Sequence, residues 1–188
     1  AKSGSTCIVA RHFLIDNNVN LNSTEVRIAK EIAFAIREKG RIKRDKDGNK
    51  VVDAQGNTVY EPGLFRNVRA TGWVIPEYDC AQVTINLTDF TVSSMHDVFD
   101  ACVKEADKLG ARVTGSEIVG LVPKQALIDA GMHYLKKQKA TCGVPEKILM
   151  RTAIRSLGLN DVAKFDPEKK TIESHFEVPM PLASMPVK

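Results

Sequence analysis

The sequence has no long apolar segment, and its cysteines form no recognisable motif. No apolar run among the 188 residues reaches the roughly 18 that a membrane-spanning helix needs. The cysteines form no Cys-x-x-Cys pair and stand far apart, at Cys7, Cys80, Cys102 and Cys142. Disulfide scaffolds have dense cysteines in shorter chains. These absences predict a cytoplasmic protein with reduced thiols and no membrane partner.

Common signatures of nucleophilic and metal chemistry are also missing. Ser116 stands in Gly-Ser-Glu and not in the Gly-x-Ser-x-Gly turn of serine hydrolases. The histidines are as scattered as the cysteines, at His12, His96, His133 and His175. A zinc site usually shows its His and Cys ligands at close, regular spacing. The sequence therefore predicts no metal and identifies no catalytic residue.

Charge and aromatic content give little support for nucleic-acid binding. The net charge is +4 and the pI about 8.9, which is only mildly basic. A sheet that binds single-stranded RNA stacks bases on exposed aromatic side chains. Here the strand pattern at 80–91 carries Gln, Thr and Asn, while Trp73 and Phe90 stand near strand ends. We expect no nucleic-acid partner, and the mild basic surplus suits small anionic ligands.

What is present is an alternation of strand and helix patterns, beginning with a long strand at 5–21. Asn22 and Glu25 predict the capping box of a first helix, and Gly40 predicts its end. Apolar residues at three- and four-residue spacing predict the buried side of this helix. They are Val26, Ala29, Ile32, Ala33 and Ile36.

Residues 41–63 contain an eight-residue unit twice, DKDGNKVV from Asp45 and DAQGNTVY from Asp53. Each copy places a Gly-Asn turn before two residues that favour strands, which predicts an inserted, projecting hairpin. The Asp-rich first copy does not fit an EF-hand calcium loop, because Gly48 stands at position four and not at position six.

Two further strands are predicted at 65–76 and 80–91, joined by a turn at 76–79. The second strand alternates with a period of two, which predicts one buried face and one polar face. The apolar set is Ala81, Val83, Ile85 and Leu87, and the polar set is Gln82, Thr84, Asn86 and Thr88.

Three more helices are predicted in the second half of the chain. Ser94 with Asp97 resembles a capping box for the first of them, which ends at Gly110. Pro123 and Pro145 are placed as the first residues of the other two, at 123–137 and from 145 to about 157.

The segment GARVTGSEIVGLVP, residues 110–123, predicts a mostly buried strand at 111–122. Gly115 and Gly120 weaken a strand interior and usually mark a bulge or a close backbone approach. Ser116 and Glu117 fit two interpretations that the residues leave open. They are either contacts on a ligand side of the sheet or a satisfied polar pair at its edge.

The order strand, helix, strand, strand, helix, strand is typical of the split βαβ, ferredoxin-like arrangement. It predicts an α+β fold with a four-stranded antiparallel sheet, helices on one face and added C-terminal helices. The polar set of the strand at 80–91 then lies on an open face, which can meet a ligand or a second domain. Residues 174–188 contain three prolines and predict an extended or disordered tail.

Three stretches, in this order and spacing, resemble the C-terminal subdomain of the glutamate formiminotransferase domain, which also occurs in formiminotransferase-cyclodeaminases. They are ARHFLIDNNVNLN, VRATGWVIPEYDCAQVTINLTDF and VTGSEIVGLVPKQAL. The resemblance implies a subdomain at 1–173 with the hairpin at 41–63 as an insertion. It further implies transfer of a formimino group from N-formimino-L-glutamate to N5 of tetrahydrofolate, in histidine degradation. The folate co-substrate is expected in a tunnel between the sheets of two similar subdomains.

The resemblance also implies where the substrates bind. The folate-contacting loop of the family corresponds to Lys2, Ser3 and Gly4, and the open sheet face is expected to form one wall of the tunnel. The residues implied on that wall are Gln82, Thr84, Asn86, Gly115, Ser116, Glu117 and Gly120.

The catalytic histidine of the family belongs to its N-terminal subdomain, and nothing in this sequence corresponds to that subdomain. The chain, which does not begin with Met, is therefore expected to be a fragment or one half of a split enzyme, inactive alone. Its implied partners are the N-terminal subdomain, both substrates and, as an option, a second copy in a homodimer. The residues alone leave open a non-catalytic ferredoxin-like module for ligand binding or assembly.

Overall fold

The computed structural model describes residues 12–176, in which strands and helices follow one another as the sequence pattern predicts. Two short 3-10 turns, Pro76–Tyr78 and Ile172–Ser174, complete this part of the chain. The elements are β1 (Ile15–Leu21), α1 (Val26–Ile36), β2 (Arg41–Ile42), β3 (Tyr60–Glu61), β4 (Val68–Ile75), β5 (Cys80–Leu87), α2 (Met95–Lys108), β6 (Val113–Val119), α3 (Lys124–Lys137), α4 (Glu146–Ser156) and α5 (Pro167–Lys170).

Four strands form one antiparallel sheet in the order β4-β5-β1-β6. The first strand of the chain is central, between the last two long strands, which is the topology of a split βαβ unit. The predicted α+β, ferredoxin-like class is confirmed. A bulge between Asn20 and Leu21 shifts the pairing of β1 with β6, so Asn20 faces Gly115 and Leu21 faces Val113.

One face of the sheet is covered by helices, with α1 on β4 and β5 and α2 on β1 and β6. The alternation predicted for β5 is confirmed, since its four apolar side chains are fully buried. Ala29, Ile32, Ala33 and Ile36 of α1 are fully buried too. Removing such aliphatic side chains from water contributes about 1.5–3 kcal/mol for each large one. This burial fixes which face of the sheet remains for function.

The predicted cap of α1 is wrong. The helix begins at Val26, and Ser23 Oγ accepts from the Glu25 backbone N–H at 3.1 Å. Asn22 Oδ1 instead accepts a hydrogen bond from the backbone N–H of Arg112 at 2.7 Å. The amide side chain of Asn22 thus ties the end of β1 to the segment before β6, a long-range contact that local spacing does not reveal.

The predicted end of α1 at Gly40 is also wrong, because the helix stops at Ile36 and Arg37 is already extended. Gly40 has a φ of 67°, and a Cβ there would overlap the backbone oxygen of Glu61. Position 40 therefore requires glycine. It lies after the end of α1, where β2 and β3 come together.

The ends of the later helices follow the sequence signals closely. Ser94 Oγ accepts from the Asp97 N–H at 3.2 Å, and Gly110 takes a φ of 72° after α2, so the cap and the stop are confirmed. Pro123 and Pro145 each stand directly before a helix and not at its first residue. The difference is one position in each case.

The repeated unit at 41–63 forms two tight turns that share one geometry. Asp45 Oδ1 accepts from the backbone N–H groups of Asp47 and Asn49, and Asp53 Oδ1 accepts likewise from Gln55 and Asn57. The short strands β2 and β3 pair at the base of the segment. These Asx turns hold the loop by its own side chains.

The predicted strands are longer than the observed ones. Residues 5–11 and the tail 177–188 lie outside the described part of the chain, and 12–14 are not in a strand. Within residues 12–176 no helix is long and apolar enough to cross a bilayer. Three cysteines of the same part, Cys80, Cys102 and Cys142, are free thiols.

Candidate functional site

The sheet face opposite α1 and α2, called the polar face below, carries an almost continuous polar surface. Ile15, Val19 and Leu21 of β1 point to the helices, so Asp16, Asn18 and Asn20 point to the polar face. Strand pairing aligns Asn20 with Gln82 and Asn18 with Glu117. The polar face comprises Asp16, Asn18, Asn20, Arg69, Trp73, Gln82, Thr84, Asn86 and Glu117.

Gln82 is the centre of a hydrogen-bond network on this face. Its Nε2 donates to Asn20 Oδ1 and to Glu117 Oε1, both at 2.9 Å. Its Oε1 accepts from the indole N–H of Trp73 at 3.1 Å. Gln82 is fully buried, so these contacts replace water as its hydrogen-bond partners. The network fixes the amide orientation and links all four strands of the sheet.

Glu117 places a negative charge among donors. Besides Gln82, its carboxylate accepts from Asn18 Nδ2 and from the Tyr78 hydroxyl, both at 3.4 Å. The negative charge of Glu117 raises the pKa of Tyr78 above its usual range, and burial of the hydroxyl raises it further. Tyr78 therefore stays protonated and remains a donor at neutral pH.

Asp16 is a second carboxyl group on the polar face, and its environment favours the neutral form. Burial raises the pKa of Asp16 above its usual range, and the charge of Glu117 raises it further. Its Oδ1 is buried and has no hydrogen-bond partner among residues 12–176. Asp16 therefore holds its proton more firmly than an exposed aspartate does.

The edge of the polar face at β6 is closed by the loop that follows α4. Asp161 Oδ2 accepts from Asn20 Nδ2 at 3.0 Å and from the Thr114 hydroxyl at 2.8 Å. A Cβ at Gly115 would lie 2.5 Å from the Asp161 Cβ and 2.6 Å from the Gly158 oxygen. The close backbone approach predicted for Gly115 is therefore confirmed, and its partner is this loop.

The residues expected to line the binding wall do not all lie together. Gln82, Thr84, Asn86 and Glu117 are on the polar face, and Gly115 is at its edge. Ser116 lies on the opposite side of β6, fully buried, where its Oγ donates to the Leu157 carbonyl at 2.7 Å. The expectation that Ser116 faces the ligand is thus corrected, because neighbouring strand residues point to opposite faces.

Two further expectations concern the ends of the binding wall. Gly120 follows β6 with a φ of 77° and open space around it, so it belongs to the turn after the strand. Lys2, Ser3 and Gly4 lie outside the described residues.

Several residues of the polar face were missed by the sequence analysis, namely Asp16, Asn18, Asn20, Arg69, Trp73 and Asp161. A signal for the β1 residues among them was present, since Asn18, Val19, Asn20 and Leu21 alternate between polar and apolar. Asp161 had no such signal, because it reaches the sheet from a loop after α4.

The comparisons with known proteins agree with this architecture. Residues 16–177, most of the chain, match the family described as Formiminotransferase domain. The chain is 37% identical over 189 residues to a formimidoyltransferase-cyclodeaminase of Dictyostelium discoideum, covering 98% of this chain and 32% of that protein. It is 39% identical over 170 residues to the formimidoyltransferase-cyclodeaminase of Mus musculus, covering 90% and 28%.

A glutamate formimidoyltransferase also matches the chain. The glutamate formimidoyltransferase of Thermoplasma acidophilum is 34% identical over 135 residues, covering 72% of this chain and 37% of that protein. The chain spans about a third of the length of the curated relatives it matches, between 28% and 38%.

The fold and the polar face define a ferredoxin-like α+β domain with one helix-covered face and one polar face. With the family match over most of its length, the chain belongs to the formiminotransferase domain family. Its coverage of the relatives agrees with one subdomain of a longer transferase.

Proposed function

We propose that this chain is the folate-binding half of a glutamate formimidoyltransferase. The full enzyme transfers a formimino group from N-formimino-L-glutamate to tetrahydrofolate, in histidine degradation. The observation that carries the proposal is the network of Gln82 and Glu117 on the polar face, in a chain of this family. The proposed subdomain covers 1–173 with 41–63 as an insertion, and 174–188 form a tail.

The pyrimidine half of the pterin in a reduced folate is flat and has neighbouring N–H donors on its edge, whereas the reduced pyrazine half is puckered. A carboxylate such as Glu117 accepts paired N–H donors, as it already accepts from Gln82 and Asn18. Trp73, 48% exposed and fixed through its indole N–H, offers a flat apolar surface beside that carboxylate. These features support a heteroaromatic ligand on the polar face.

Both proposed substrates are anions that carry glutamate carboxylates. Strand pairing aligns Arg69 with Asn86 and Asn86 with Asp16, at the other end of the polar face from Trp73 and Gln82. An arginine there can bind a carboxylate in a bidentate manner. The ring and the glutamate tail of a folate would then lie along the strands, with the ring beside Glu117.

The reaction also explains why one half is expected to be inactive alone. N5 of tetrahydrofolate attacks the formimino carbon and gives up its proton. The tetrahedral intermediate collapses when the bond between that carbon and the glutamate nitrogen breaks, and glutamate leaves as an amine. That amine must take up a proton, and the two substrates must be held in contact. We assign no catalytic residue in this chain and propose the N-terminal subdomain of the family as its partner.

The location is proposed to be cytoplasmic, and no metal takes part in this transfer.

A calorimetric titration of the 188-residue chain with folinate, a stable reduced folate, tests the proposal. We expect saturable binding that Glu117→Gln weakens at least tenfold, since this variant keeps the size of the side chain and removes its charge. The matched control is Glu105→Gln on α2, on the opposite side of the sheet. N-formimino-L-glutamate and a single-stranded RNA serve as comparison ligands.

If the chain alone does not bind folinate, the titration is repeated with the N-terminal subdomain of a family member added. Binding only in that mixture supports a composite site. Absence of binding in both, or RNA binding that Glu117→Gln weakens, contradicts the proposal. Steady formimino transfer by the chain alone contradicts the proposed inactivity of this half.

A further inference from the structure

A cluster of ionisable side chains lies between α2 and α3, away from the polar face. His96, Asp97 and Asp100 come from α2, and His133 and Lys137 come from α3. The two imidazole rings lie 4.4 Å apart between centroids, inclined by 31°. The fold thus brings together two of the histidines that are scattered in the sequence.

Three of these side chains have the arrangement of metal ligands. One nitrogen of His96, one of His133 and one carboxylate oxygen of Asp97 all lie within 4.8 Å of one another. Ligand atoms on one tetrahedral Zn²⁺ ion lie about 3.3 Å apart, since each is about 2.0–2.2 Å from the metal. Binding of an ion would require the three ligand atoms to move closer together than they now are.

The His96 ring has a nitrogen that the described part of the protein leaves without a partner. Nδ1 of His96 is buried and has no hydrogen-bond partner among the described residues. A neutral imidazole keeps a lone pair for a metal, whereas an imidazolium has none.

His133 is oriented by a carboxylate behind it. Its Nε2 lies 3.2 Å from Asp100 Oδ2, and the same carboxylate accepts from Lys137 Nζ at 2.7 Å and from the Tyr134 hydroxyl at 3.2 Å. A carboxylate bonded to a ligating histidine is the usual outer arrangement of a metal site.

We propose that His96, Asp97 and His133 bind a divalent transition-metal ion of the Zn²⁺ type, with water in the remaining coordination position. Two imidazoles and one carboxylate suit Zn²⁺ or Co²⁺ better than Mg²⁺ or Ca²⁺, which prefer oxygen ligands alone. The ion would join α2 to α3. This site is independent of the proposed folate site, since α2 packs on the other face of the sheet.

The test is a titration of the metal-free 188-residue chain with Co²⁺, followed by its visible absorption, and then displacement by Zn²⁺. We expect saturation at one equivalent and a higher thermal unfolding temperature in the bound state. His96→Gln and His133→Gln are each expected to weaken binding at least tenfold. The control His175→Gln removes a histidine outside the cluster and is expected to bind as the unchanged chain does.

Three results would overturn the proposal. They are the absence of a saturable signal, equal affinity in the His133→Gln and His175→Gln variants, and an intense thiolate charge-transfer band that shows cysteine ligation. His96 is the more buried ring, with 13% of its side chain exposed against 29% for His133. If His96→Gln does not fold, His133→Gln and Asp97→Asn decide the question.

Discussion

Gln82 and Glu117 meet across an intervening strand, with Nε2 of Gln82 donating to Oε1 of Glu117 at 2.9 Å although β1 separates their strands. Both side chains reach over Asn18 and Asn20 of β1. Such a contact requires that all three strands present the same face in register. The hydrogen bonds of Gln82 and Glu117 thus make the polar face one cooperative unit.

Replacing Gln82 by Leu is expected to destabilise the fold by about 2 kcal/mol, because Asn20 and Glu117 lose a donor in a buried position. Urea unfolding measures the change. The control Thr84→Ala alters the same strand and face at a side chain that is only partly buried, and it is expected to cost within about 0.5 kcal/mol. Equal losses in both variants would contradict the role given to the network.

Replacing Asp16 by Asn is expected to change how stability depends on pH. The pKa of Asp16 in the folded state is raised above its ordinary value of 3.8. At a pH between the unfolded-state pKa and the folded-state pKa, the native state therefore binds more protons than the unfolded state. Its contribution to stability therefore falls as pH rises through that window. Above the window, the ionised carboxylate destabilises the fold.

The Asp16→Asn variant is thus expected to be more stable than the unchanged chain at pH 7, with a difference that shrinks toward about pH 4. Thermal unfolding at a series of pH values measures this. Asp107→Asn, at an exposed position of α2, is the matched control. A stability difference that stays constant with pH would refute the assignment.

Replacing Gly115 by Ala is expected to destabilise the fold by about 1–3 kcal/mol, since the added Cβ must displace Asp161 or Gly158. Gly143→Ala is the control, because the nearest atom to its added Cβ is 3.6 Å away and its φ is not positive. Denaturant midpoints compare the two. If Gly115→Ala is neutral, the loop after α4 does not close this edge of the sheet.

Replacing Ser116 by Ala separates a structural role from a binding role. The expected cost is about 1–2 kcal/mol of stability, because the buried Leu157 carbonyl loses its donor. Folinate affinity, where it is measurable, is expected to stay unchanged, since Ser116 faces away from the polar face. A fall in affinity without a fall in stability would restore Ser116 to the ligand side. Ser156→Ala, at a partly buried position of α4, is the stability control.

The sequence predicted the parts of this fold that depend on local pattern. The alternation in β5 assigns Ala81 and Gln82 to opposite faces whatever lies around them, because strand side chains have a period of two. The Ser94 cap and the stop at Gly110 are equally local, since both act within one helical turn. These signals were sufficient for the element order and therefore for the ferredoxin-like class.

Which residues meet depends on the packing of distant segments. Gly115, Ser116 and Glu117 were expected together on one wall, yet β6 sends Ser116 to the helices and Glu117 to the polar face. Asn22 looked like a helix cap and instead bonds Arg112, and His96 and His133 looked unrelated and lie with their rings side by side.

The physical reason is the range of the interactions. Caps and alternation are determined by neighbours a few residues away, whereas strand register and helix packing depend on contacts between distant segments. Local sequence patterns were therefore enough to predict the elements and the polarity of their faces. The packing of β1 between β5 and β6, and of α2 against α3, created the polar face and the two-histidine cluster.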